Sequence, residues 1–235
     1  LHIVTRPGIV RRMVIVESGD PLSVRMIEET ERVMRSNSQF YDVCIRPIAW
    51  HDGVVDIEVR TRDTWSLQPG ASYSRGGGSD TGVVSLEEKN FLGTGVSVGV
   101  AGSSSVDRSG SEFEIQHNQV FGNWTAFRYK IADYSDGSAE SISLARPFYA
   151  LDTRWALGAS AATFDRIDSI YTNGAAIGQF RHEQSASEFF GGWSKGLVDG
   201  WVQRYSVGVA YQDDVYRVDP AYPAPAQLPA DQTLV

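Results

Sequence analysis

"EEKNFLGTGVSVGV", residues 87–100, opens on three charges, passes an aromatic and two nearby glycines, and ends on small and β-branched residues at alternate positions. Gly93-Thr94-Gly95, with Gly99 behind it, resembles a dinucleotide-binding loop. That chemistry needs a helix N-terminus directly after the glycines, where amide dipoles meet the pyrophosphate. Val96, Val98 and Val100 alternate there instead. The stretch therefore reads as strand, glycine turn, strand.

The same rhythm runs from Trp65 onward, in about nine or ten strands of roughly nine to twelve residues separated by Gly, Ser, Asp and Asn clusters. In "WTAFRYKIADY", Phe127, Tyr129 and Ile131 point one way and Arg128 and Lys130 the other. In "WVQRYSVGVAYQ", Trp201, Tyr205, Val207, Val209 and Tyr211 share a face opposite Arg204, Ser206, Gly208 and Ala210. A soluble sandwich alternates too. Strand length suits a tilted bilayer crossing, aromatics gather near strand ends, and the second face is charged or tiny, as a wet lumen requires. These features favour a transmembrane barrel over a soluble β-rich binding protein or hydrolase. The proline-rich "DPAYPAPAQLPADQTLV" breaks the rhythm and reads as an extended loop whose returning strand lies beyond Val235.

The first 63 residues differ in texture, with Phe40, Tyr41 and Trp50 as their only aromatics. Ser23 as N-cap, and Val24, Ile27, Val33 and Met34 near one face, predict a helix over about 23–37. Glu28, Glu29, Glu31 and Arg32 fall largely on its solvated face. "FYDVCIRPIAW" and "VVDIEVRT" alternate with period two around Asp52-Gly53, a hairpin signal. "RPGIVRRMVIVES" is ambiguous: Pro7 suits a helix start, whereas the β-branched residues favour a strand.

Composition excludes several functions. A net charge of -8, with lysine only at 89, 130 and 195, provides no basic stripe for nucleic acid. Cys44 is alone, so no internal disulfide framework exists, and it reads as a small strand hydrophobe. His2, His51, His117 and His182 show no metal-ligand spacing. Gly95–Gly99 and Gly192–Gly196 fit Gly-x-Ser-x-Gly, but neither precedes a helical pattern, as a nucleophile elbow must. Glu87 and Glu88, adjacent in a strand, point to opposite faces and form no catalytic pair. No catalytic residue, metal site or cofactor is expected. Pro69, in "WSLQPGASYSRG", cannot donate to a ladder, which points to an edge strand or a weakly bonded seam.

In their order along the chain, "TRPGIVRRMVIVESGDPLS", "ERVMRSNSQFYDVCIRP", "VVDIEVRTRDTWSL" and "NFLGTG" resemble the BamA/TamA superfamily of outer-membrane proteins, the bacterial surface antigen family. "ARPFY" at 145–149 is similar to the strand ends of those barrels. The resemblance implies an α+β POTRA domain over 1–63, its first strand truncated to at most Leu1–Thr5, with "PGIVRRMVIVES" as its first helix. The N-terminal part of an antiparallel transmembrane barrel would follow over 64–235. Family barrels have more strands than this chain supplies, and the lumen-plugging Arg-Gly-Phe loop has no counterpart here, so a fragment is expected.

What the resemblance implies is a non-enzymatic role in the Gram-negative outer membrane, with the POTRA domain in the periplasm, inserting or translocating envelope proteins. Partners would be membrane lipid, unfolded or nascent clients, and periplasmic accessory proteins. On this reading Phe40, Tyr41, Asp42, Val43, Cys44, Ile45 and Arg46 form the client-binding edge, by strand addition. Trp65, Leu67, Pro69, Gly70, Ser72 and Tyr73 form the barrel seam. A passive porin or a secretion partner of the same architecture is the alternative.

Overall fold

The computed structural model describes residues 3–76 and 79–235. Two short helices come first, α1 (Pro7–Met13) and α2 (Val24–Arg35), followed by an antiparallel hairpin of β1 (Phe40–His51) and β2 (Val54–Asp63). Pro7 begins α1 with its φ already helical, and the backbone turns extended at Val14, so the β-branched run that follows is neither helix nor strand. Ser23 holds the N-cap position of α2 in extended backbone. Asp52 and Gly53 both take positive φ, 48° and 78°, which closes a tight turn matched to the strands' twist.

Met13, Val33, Met34, Phe40, Val43 and Ile45 bury between the helices and the hairpin, and Trp124 and Ala150, from distant turns, complete that core. Trp124 stacks on Tyr149 with centroids 5.0 Å apart. The expected α+β POTRA domain is thereby overturned. Ile3–Thr5 is not strand, Leu1 and His2 lie outside the described residues, and the sheet has two strands. Two strands and two short helices cannot enclose a dry core alone. The unit is instead fastened to the wall beside it, in a chain that is nearly all antiparallel β.

That wall is a ten-stranded sheet in strict sequence order. It comprises β3 (Leu67–Gly76), β4 (Ser79–Phe91), β5 (Val96–Ser104), β6 (Ser109–His117), β7 (Ala126–Tyr134), β8 (Gly137–Arg146), β9 (Trp155–Thr172), β10 (Ala175–Val198), β11 (Trp201–Arg217) and β12 (Gln232–Leu234). The stretch at 87–100 is the end of β4, a turn with positive φ at Leu92, Gly93 and Gly95, and the start of β5. Both Gly-x-Ser-x-Gly pentapeptides lie at β strands, not strand-to-helix turns.

Strands β9, β10 and β11 run to 18, 24 and 17 residues, longer than the sequence rhythm predicts. Asn173-Gly174 and Asp199-Gly200 turn them with the same paired positive φ as Asp52-Gly53. Their far end is braced: Arg181 grips Asp165 at 2.6 Å and Asp219 at 2.9 Å. The proline-rich segment folds back there, Gln179 N–H donating to the Pro223 carbonyl at 2.8 Å. The returning strand is β12, within the chain rather than beyond Val235, pairing with Gln212–Asp214.

Candidate functional site

Register sorts the wall's side chains into two faces. On one, Phe127, Leu144, Ala159, Phe189 and Val209 lie in a cross-strand row, and Trp155, Trp193 and Tyr205 in another. These apolar groups are largely exposed; Val207 and Val209 are 65% and 64% accessible. On the other face Lys130 pairs with Glu112 at 2.6 Å, which also accepts from the Tyr134 hydroxyl at 2.7 Å. His182 sits between Asp168 and Asp214, its ring nitrogens 2.8 and 2.9 Å from their carboxylates. A cavity of about 360 Å³ on this face draws its lining from Thr81 of β4 round to Arg166 of β9, so the polar face is concave. An exposed apolar convex face backed by a polar hollow can rest against hydrocarbon and enclose water.

Within this wall β3 is terminal, paired with β4 on one side and, among the described residues, with no strand on the other. The Lys89 N–H donates to the Ser66 carbonyl at 2.9 Å, and the register continues as Leu67↔Glu88 and Pro69↔Leu86. Antiparallel bonding alternates. Residues 66, 68, 70, 72 and 74 therefore bond β4, while Leu67, Pro69, Ala71 and Tyr73 turn their backbone groups to the open side. Pro69 thus removes no bond from the ladder with β4. It leaves a gap in the row of donors facing outward.

The other seam residues fall into place by the same alternation. Leu67, Pro69 and Tyr73 put side chains on the convex face, Tyr73 donating its hydroxyl to Asp80 at 2.8 Å. Gly70 and Ser72 face the concave side, and a Cβ on Gly70 would lie 2.5 Å from Ser85 Oγ. Trp65 precedes the strand and is well exposed.

The segment Phe40–Arg46 is the first half of β1, as the sequence reading expects, but its edge is not bare. Val43 and Ile45 bury their side chains under α2, while Tyr41, Asp42, Cys44 and Arg46 face away. The Ile45 N–H donates to Glu31 at 2.6 Å, and the Val43 carbonyl accepts from Arg35 at 2.6 Å. The row of free backbone groups assumed there is a row partly occupied by α2.

Sequence reasoning missed the side chains that join the unit to the wall. Glu29, assigned to a solvated face, is 4% exposed; it takes both arms of Arg32, at 2.7 and 2.8 Å, and the Leu151 N–H at 2.7 Å. The bonded Arg32 guanidinium is the chief influence holding its carboxyl below the usual carboxylate range, aided by Leu151 against the opposing cost of burial. Arg25 reaches Asp152 at 2.6 Å. Asn90 bonds Thr5 at 2.8 Å and the Gly95 N–H at 2.8 Å, tying the N-terminal segment to the β4–β5 turn. The oppositely charged pairs at i,i+3 and i,i+4 in α2 were the available signal, and ordinarily mark a solvated helix face.

No family model matches the sequence, and no curated protein matches it. Among solved structures the chain is similar to the crystal structure of BamA from Haemophilus ducreyi lacking POTRA domains 1–3. The TM-score is 0.56 at 14% identity, over 94% of this chain and 47% of that one. The chain thus spans about half the length of the structure it matches. At that identity the likeness is one of fold, and the fold is a BamA-like barrel wall.

Proposed function

We propose that this chain is part of an outer-membrane β-barrel protein that assists the insertion or translocation of other envelope polypeptides. The convex apolar face lies against lipid, with Trp155, Trp193 and Tyr205 as an aromatic row at its edge. The unit of residues 3–63 sits at the end of the wall that carries the β4–β5, β6–β7 and β8–β9 turns, on the periplasmic side, where accessory proteins could reach it.

The observation that carries the reading is the open edge of β3 with Pro69 facing outward. Unpaired backbone groups are costly in hydrocarbon, so this edge demands a partner strand. A missing donor at mid-strand weakens whatever partner closes it, and a client strand can compete through main-chain bonds independent of its sequence. A passive barrel would keep the same edge sealed.

Cross-linking separates the two. In a Cys44→Ser background, a cysteine replacing Ala71 should capture a client strand during its insertion into vesicles. Capture absent at Ala71, and found only at positions remote from β3, overturns the reading.

A further inference from the structure

The segment "IVTRPGIVRRM", residues 3–13, holds three arginines and no acidic residue in a chain whose net charge is -8. Ile9, Val10 and Met13 turn one side of α1 into the core, which leaves Gly8, Arg11 and Arg12, spaced i, i+3 and i+4, together on the opposite side. A Cβ on Gly8 would meet nothing within 4 Å, so the helix surface beside the two guanidiniums is open down to the backbone. Arg6 stands just before the helix, its N–H donating to the Gly93 carbonyl at 2.9 Å. Among the described residues none of these three guanidiniums has an ion-pair partner. Asp63, bonded to the neighbouring Thr5, is turned onto Thr5 and Asn90.

Apolar side chains flank this charge. Leu92, next to the Gly93 that Arg6 bonds, is 50% accessible, and Phe121, next to the Gly122 against which the Arg12 stem packs, is 68% accessible. Ile3 lies against the same β4–β5 turn, its Cγ2 3.3 Å from where a Cβ on Gly93 would stand, and is exposed too. Register ties the patch to the wall. Phe91 pairs with Val96, Val96 with His117, His117 with Phe127 and Phe127 with Leu144, so the residue before Leu92 belongs to an apolar row of the convex face. The patch begins where that face ends.

We propose that the foot of the wall is a docking surface for the anionic phospholipid headgroups of the periplasmic leaflet. Arg6, Arg11 and Arg12 take the phosphates, while Leu92 and Phe121 enter the boundary between headgroups and acyl chains. This rests on the reading of the chain as part of an outer-membrane barrel. Guanidiniums bond phosphate oxygens in pairs, and here no carboxylate has to be displaced first. An acidic protein would also satisfy the arginines, but continuity with the convex apolar face favours the bilayer. The contact holds the N-terminal unit against the leaflet close to β4 and the open edge of β3.

Hydrogen exchange tests it on the full chain refolded into vesicles of phosphatidylcholine alone or with about 30% phosphatidylglycerol, in wild type and in Arg6→Gln/Arg11→Gln/Arg12→Gln. In wild type phosphatidylglycerol should slow exchange over residues 8–13 by about fivefold or more, the gain expected of even one arginine at an anionic surface. Raised salt should abolish the difference, and the triple variant should show none. If β11 is protected but residues 8–13 are indifferent to phosphatidylglycerol, the docking surface is overturned and the barrel reading stands. If β11 is unprotected in both vesicles, the barrel reading is overturned and the docking surface with it. Inorganic phosphate or a soluble glutamate-rich peptide may be added to the phosphatidylcholine vesicles; either one slowing exchange as much as phosphatidylglycerol does reveals a general anion site, which also overturns the proposal. Should the triple variant lose protection over α2, the exposed Arg11→Gln carries the comparison, with a response to phosphatidylglycerol about fivefold weaker than wild type expected and an unchanged response counting against the proposal.

Discussion

At the level of single residues, Glu29 and Trp124 hold the N-terminal unit to the wall. Glu29 satisfies Arg32 and the Leu151 N–H from a buried position; truncation leaves that N–H without its acceptor, whereas Arg32, 56% exposed, turns to water. Glu29→Ala should cost about 1–3 kcal/mol in chemical denaturation of the unit, the range for leaving the Leu151 N–H without its acceptor. Its carboxyl is held low in the folded state, so its contribution is complete above the unfolded carboxylate pKa, about 4.3, and is lost as pH falls through the lower folded value. Proteolysis of the segment between α2 and β1 should therefore accelerate below about pH 4, and Glu29→Gln should remove that dependence. Trp124 is 9% exposed and closes a core made otherwise by residues 9–59 with Tyr149 and Ala150. Trp124→Ala should cost about 3–5 kcal/mol and release the unit to protease while β5–β11 keep their protection from hydrogen exchange. If the unit stays resistant, its core does not depend on the wall's turns.

At the level of elements, β3 and the β9–β11 group behave differently. Pro69 has its missing donor on the open side, so Pro69→Ala should leave the β3–β4 ladder unchanged, with a stability effect within about 1 kcal/mol. The same change supplies a donor to whatever strand lies alongside, so capture of a client at Ala71 should fall. Loss of protection in β4 on making Pro69→Ala would mean that the register is misassigned. In the longer strands Gly158 faces the Phe190 ring, and Gly208 would meet Phe190 Cβ at 3.1 Å. The aromatic fills space that neither glycine occupies, a pairing that lets the sheet bend without a void. Gly158→Val should displace that ring and cost about 1–3 kcal/mol, read from the thermal transition of the refolded chain.

For the whole molecule the deciding question is what meets the convex face. Val207→Arg should cost about 2–4 kcal/mol for refolding into bilayers if that face meets hydrocarbon. In plain buffer an exposed substitution of this kind stays within about 0.5 kcal/mol. Glu188→Arg, on the concave face, is the control and should change little in either medium. Much of this architecture is legible before any coordinates. Two-residue alternation identifies which side chains share a face, Asp52-Gly53 and the glycines after Phe91 mark where the chain reverses, and Pro69 points to an edge. Each of these signals is local, because strand period and turn geometry depend on neighbours in the chain. Only the tertiary structure decides that residues 3–63 form no separate α+β domain, that Glu29 is buried against a loop 122 positions away, and that Glu31 and Arg35 lie over an edge otherwise taken as free. Those outcomes depend on partners far apart in the chain, and a glutamate on a helix face looks the same in sequence whether it meets water or a distant backbone amide.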